Sequence, residues 1–162
     1  MKNLEFAINM ELEGEQFYRS QAALHKGSGL EVVCLLLAED EKRHSDILKA
    51  KSDQTDWSFD DEHTLIKEAG IFHDIDDLKS EIRTIPTQKD FYMEAAKKEK
   101  QSIDLYKDCL AQAKNENDVD LFKYLISQEE HHFEILDDLI GLLTHAEEWV
   151  EDAEFGLRKE EY

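Results

Sequence analysis

The sequence predicts an all-α protein: a four-helix bundle with a long crossover between its second and third helices and a short C-terminal tail. Three observations carry this. Apolar residues recur at helical spacing in four long segments, Pro occurs once and Gly six times in 162 residues, and the alternation of β-branched residues that marks strands is absent. A chain of this length forms one domain and buries a core without disulfide staples.

The first helix is predicted from about Asn3 to His25, with Leu4, Ile8, Glu11, Glu15, Tyr18 and Ala22 on one stripe. The run Lys26-Gly27-Ser28-Gly29 breaks it. The second helix runs from near Leu30 to about Lys51 and carries Cys34, Leu37, Glu41, His44 and Leu48 on its stripe. So short a loop makes the two antiparallel neighbours. Residues 52–85 are rich in Asp with only brief apolar clusters, and read as a crossover holding short helices near 62–70 and 74–83. Such a stretch can return along a helix of roughly 33 Å, which leaves helices two and three parallel.

The third helix begins near Pro86 or Thr87, where Pro suits the first turn, and ends around Asn115. Its stripe includes Tyr92, Ala95, Glu99, Tyr106 and Leu110. The fourth starts near Asp118 and carries Leu121, Leu125, Glu129, His132 and Leu136. The bundle thus occupies residues 1–145. The tail, 146–162, holds Trp149, Phe155 and Tyr162 among acidic residues and is expected to pack on the bundle or on a partner subunit.

The chain carries 19 basic and 39 acidic side chains, a formal charge of −20. A field of that sign repels phosphate backbones and anionic bilayers, so neither nucleic acid nor membrane is an expected partner. Cys34 and Cys109 are the only cysteines, and no Cys-x-x-Cys occurs, which excludes a four-cysteine metal knot within this sequence. Both thiols read as small buried hydrophobes in a reducing compartment. With no signal-like segment and no run of 18 apolar residues, a cytoplasmic protein is expected.

Four positions recur at one offset. Glu11, Tyr18, Glu41 and His44 return as Glu99, Tyr106, Glu129 and His132, each pair 88 residues apart. Around the second motif, Leu36 to Leu48 aligns without gaps to Tyr124 to Leu136. The four Glu lie inside the apolar stripes of their helices, where an unpaired carboxylate is strongly penalised. Residues three apart share a helix face, so Glu41 with His44 and Glu129 with His132 can point at one centre. A lone Glu on one helix and a Glu-x-x-His on the next, duplicated, is how a bundle builds a two-metal site. Two divalent ions balance four carboxylates, and the mixed oxygen and nitrogen donors suit iron, with manganese possible.

On these residues the chain resembles the rubrerythrin branch of the ferritin-like superfamily. The resemblance covers all four helices and is most specific at Glu11, Glu41, His44, Glu99, Glu129 and His132. It implies that Glu41 and Glu129 bridge two irons, that Glu11 and His44 complete one, and that Glu99 and His132 complete the other. It places Tyr18 and Tyr106 beside the site, where a phenol can hydrogen-bond a ligand carboxylate. The implied activity is that of a non-haem di-iron oxidoreductase reducing hydrogen peroxide, or dioxygen, to water. Ferroxidase activity, manganese catalase activity and a non-catalytic metal-stabilised bundle are the alternatives.

Two departures bear on mechanism. Rubrerythrins carry a rubredoxin-type iron site built from paired Cys-x-x-Cys motifs, and this sequence has none, so electrons must come from an external donor such as a rubredoxin or a flavoprotein. Some members place an extra Glu three residues before the third-helix ligand, where this chain has Ala96. A homodimer is implied by the resemblance. Glu15 lacks a paired counterpart and is not expected to be a ligand, His131 is expected to face outward, and His25, His63, His73 and His145 read as solvated.

Overall fold

A computed structural model describes residues 2–59 and 89–158. Four helices account for most of them: α1 (Lys2–Leu24), α2 (Gly29–Ser52), α3 (Lys89–Ala111) and α4 (Glu116–Arg158). The short helices predicted at 62–70 and 74–83, and the predicted start of the third helix near Pro86, lie outside the described residues.

The α1–α2 turn follows from its glycine and serine. Gly27 takes φ +85°, a left-handed conformation that costs residues with a Cβ. Ser28 then caps α2, its hydroxyl accepting the Glu31 N–H at 3.3 Å. At the far end Lys49 and Lys51 sit in the last turn, where cations suit the exposed carbonyls.

The α3–α4 connection differs from the sequence expectation. Helix α3 stops at Ala111, and Asn115 caps α4 by accepting the Asp118 N–H at 2.8 Å. An Asn at this position offers its side chain to a free helix N–H instead of continuing the preceding helix. A second difference lies at the other end of α4, which continues as helix across residue 146 to Arg158. No Pro or helix-breaking cluster occurs there, so the segment read as a tail prolongs the helix through this point.

The contacts between helices give the topology. Tyr18 meets Glu99 and Tyr106 meets Glu11, so α1 and α3 run antiparallel. His44 approaches Glu129 while His132 approaches Glu41, so α2 and α4 are antiparallel as well. With tight antiparallel turns inside each hairpin, α2 and α3 are parallel, as a single long crossover requires.

The interior is layered along the bundle axis. One apolar plug joins Tyr18, Leu30, Val33, Leu37, Tyr92 and Leu136 with their neighbours; a second joins Ala7, Leu48, Tyr106, Leu121, Phe122 and Leu125. Between them lies a belt of buried Glu and His. Each plug keeps water from the belt on one side, which raises the cost of any uncompensated charge there. Cys34 is fully buried in this interior and Cys109 half-buried near one end. Among the described residues, no helix is long and apolar enough to cross a membrane.

Candidate metal centre

Each helix delivers its polar residues to the belt because they replace apolar ones within its stripe. On α1, Ala7, Glu11, Tyr18 and Ala22 are buried at spacings near one or two turns, and on α3 Tyr92, Ala95, Glu99 and Tyr106 repeat the pattern. On α2 and α4 the Glu-x-x-His pairs bring two donors each to the same face. Glu11, Glu41, His44, Glu99, Glu129 and His132 are all at most 5% exposed.

These six side chains form two groups of four. Glu11, Glu41, His44 and Glu129 offer ligand atoms all within 4.8 Å of one another, and so do Glu41, Glu99, Glu129 and His132. Glu41 and Glu129 belong to both. His44 Nδ1 lies 2.8 Å from Glu129 Oε1, 3.3 Å from Glu11 Oε2 and 3.5 Å from Glu41 Oε2. His132 Nδ1 lies 3.1 Å from Glu41 Oε1, 3.5 Å from Glu129 Oε2 and 3.9 Å from Glu99 Oε1. The two rings stack with centroids 5.5 Å apart.

The donor set fits metal ions. Among the described residues, both oxygens of Glu129 and His44 Nδ1 are buried and meet one another and their neighbours only as close polar contacts, without hydrogen-bond geometry. Groups of this kind are rarely left orphaned in a core, and a cation satisfies them.

Without metal, protons carry the compensating charge. Burial and the charges of Glu129 and Glu41 push the Glu11 carboxyl well above its usual range. Burial with Glu41 and Glu129 does the same to Glu99. Burial also opposes ionisation of Glu41, but its hydrogen bond with Glu11 and the charge of His132 prevail and hold it well below the usual range. At Glu129 burial and Glu41 are outweighed by His44 and His132, which bring it down to about 2. Both imidazoles are raised: burial works against their charge, but Glu129 beside His44 and Glu41 beside His132 overcome it. The metal-free belt thus pushes Glu11, Glu99, His44 and His132 toward their protonated forms and Glu41 and Glu129 toward their carboxylates.

The tyrosines tie the halves together. Tyr18 donates its phenolic hydrogen bond to Glu99, and Tyr106 donates to Glu11, each across to the other hairpin. Burial and the adjacent carboxylates hold both phenols well above their usual pKa, so they remain donors.

Other sequence expectations are met unevenly. Glu15 belongs to neither group; its carboxylate pairs with Arg19 at 2.8 Å. His131 also stands apart from the centre, half-buried, with Nδ1 3.8 Å from Glu134. His145 is exposed, while His63 and His73 lie outside the described residues. His25 is a correction: it is only 3% exposed, and the Tyr92 hydroxyl lies 3.1 Å from its Nε2. It follows the last turn of α1, where the aromatic ring of Tyr92 and the turn itself cover it.

Sequence reasoning missed Asp40. Its Oδ2 lies 3.1 Å from His132 Nε2, and its other oxygen accepts from Arg43. A carboxylate on the far nitrogen of a ligating imidazole fixes its tautomer and orientation. The signal was an acid directly before the Glu41 motif where the second repeat has the neutral Gln128.

A model of the rubrerythrin family matches residues 2–140. The chain belongs to the rubrerythrin family. Membership implies a di-iron protein of the ferritin-like superfamily, and the buried belt supplies groups able to hold the ions. This rubrerythrin-family chain has the four-helix bundle without paired Cys-x-x-Cys motifs in its sequence. Among curated proteins and among solved structures, nothing matches the chain.

Proposed function

We propose that the chain is a non-haem di-iron oxidoreductase that reduces hydrogen peroxide to water, with dioxygen the slower oxidant and electrons drawn from an external donor such as a rubredoxin or a flavoprotein. The observation that carries this is the pair of four-residue groups sharing Glu41 and Glu129, which suits two ions held side by side. In this reading Glu41 and Glu129 would hold both ions, Glu11 and His44 would complete one set, and Glu99 and His132 the other. When bound, the two irons supply one electron each, the two electrons that cleavage of one peroxide O–O bond consumes.

The protein's own groups do the rest. Tyr18 and Tyr106 hold Glu99 and Glu11 in position from the opposite hairpin. Asp40 orients His132, and Arg43 anchors Asp40. The apolar plugs on either side exclude bulk water, so charge–charge attraction within the belt is strong. Two electrons and two protons convert one hydrogen peroxide to two waters, and the external donor restores the electrons.

Stopped-flow oxidation of the diferrous protein tests the proposal. Hydrogen peroxide should oxidise it much faster than dioxygen does; the reverse order would favour a ferroxidase role and sink the peroxidase reading.

A further inference from the structure

The two sides of the centre are covered differently. On the α2–α4 side the Tyr124 ring meets His44 edge-on at 6.4 Å, and Phe59, where the chain leaves α2, lies on Tyr124 at 4.7 Å. On the α1–α3 side a cavity of about 310 Å³ runs inward from Asn9, Glu13 and Gln101 to Glu11, Glu41 and Glu99. Two small residues face it from opposite walls, Gly14 on α1 and Ser102 on α3. They are counterparts in the 88-residue repeat. A Cβ at position 14 would lie 3.3 Å from both Cγ and Cδ of Glu41 and 3.6 Å from its Oε1. Even a methyl group there would press on the carboxylate shared by both ligand groups.

We propose that Gly14 and Ser102 form the neck through which small solutes reach the two-metal centre, and that Gly14 keeps the Glu41 side of that centre open. The neck sets the size of what the site accepts: hydrogen peroxide and dioxygen pass, and branched alkyl hydroperoxides are held out. The statement about oxidants rests on the peroxidase reading, whereas the neck itself requires only the metal centre. No other residue type leaves the space that Gly14 leaves, and the helix tolerates it at a known cost in backbone entropy. Phe17, Met10 and Ala95 line the same cavity, so its walls are partly apolar and favour small neutral molecules.

Azide binding to the diferric protein tests the neck without requiring turnover. The association rate, followed by the charge-transfer absorbance, should fall at least about tenfold in Gly14→Ala and in Ser102→Leu, a barrier of about 1.4 kcal/mol. In Ser102→Leu, which does not press on Glu41, iron content and the absorbance reached at saturating azide should stay at wild-type values, which separates a narrowed path from a damaged site. Ala favours helix over Gly, so Gly14→Ala is expected to fold; if it nonetheless loses iron, Ser102→Leu decides. Wild-type association rates in an iron-replete Ser102→Leu protein would overturn the neck. In a parallel experiment tert-butyl hydroperoxide should oxidise the diferrous wild type far more slowly than hydrogen peroxide. Equal rates would overturn the size limit. Failure of hydrogen peroxide to react would overturn the oxidant reading alone, leaving the azide result to judge the neck.

Discussion

Asp40 Oδ2 sits 3.1 Å from His132 Nε2, while the corresponding nitrogen of His44 is buried without a hydrogen bond among the described residues. The two halves of the centre share their ligand types and differ in what stands behind them, because Gln128 occupies the position equivalent to Asp40.

That asymmetry predicts unequal metal affinities. Asp40→Ala should weaken the ion held by Glu99 and His132 by about 10–100-fold, the usual effect of removing a carboxylate behind a ligating imidazole. The ion beside Glu11 and His44 should be little affected. Titration with Co(II), followed by its visible absorbance, should change from two separate steps, the His132 position filling first, to near-simultaneous filling. A uniform loss at both positions would count against this assignment.

Bridging predicts a different pattern for the ligands themselves. Glu41→Ala and Glu129→Ala each remove a side chain common to both groups and should abolish binding of both ions. Glu11→Ala, confined to one group, should leave about one ion per chain by metal analysis. One ion retained in Glu41→Ala would show that Glu41 serves a single site.

The tyrosine contacts are testable in the metal-free protein. Tyr18→Phe keeps the ring in its plug but removes the hydrogen bond to Glu99, a fully buried group, at a cost of about 1–3 kcal/mol. Tyr106→Phe should cost a similar amount through Glu11. Urea unfolding measures both, and a change within experimental error for either variant would remove its hydrogen bond from the account of stability.

Metal binding should release protons. Glu11, Glu99, His44 and His132 are all pushed toward their protonated forms, and each must lose its proton to coordinate. Calorimetry in buffers of different ionisation enthalpy should show net proton release when the ions bind, and more of it at mildly acidic than at alkaline pH. Release near zero would mean that the belt is already deprotonated.

The same shifts give the metal-free protein a stability that falls as pH rises. The raised His44 and His132 contribute stability fully present below pH 6.5, the ordinary imidazole value, and lost as pH climbs through their folded values. The raised Glu11 and Glu99 act in the same direction from their ordinary value of 4.5 upward, since the folded state binds protons the unfolded chain has released. Glu41 and Glu129 act oppositely: their contribution is present above 4.5 and lost on acidification, for Glu129 toward about pH 2. Thermal melting of the metal-free protein should therefore peak at mildly acidic pH and decline toward pH 9, while the metal-loaded protein should hold its stability across that range.

Four long helices were legible in the sequence, and so were the six side chains that the fold gathers into the buried belt. Helical phase tells which residues share a face, and a carboxylate inside an apolar stripe stands out because burying it alone is so costly. The 88-residue offset also matched the residues that take equivalent places in the two ligand groups: Glu11 with Glu99, His44 with His132. Phase within one helix says nothing about which neighbour stands opposite. Tertiary structure alone decided that Tyr18 serves Glu99 instead of Glu11, that Asp40 reaches His132 on α4, and that His25 is buried against Tyr92. It also decided that a missing Cβ at Gly14 faces Glu41. Each depends on the distance between two helices and their rotation about their own axes, quantities set by the packing of whole faces and not by any local pattern of residues.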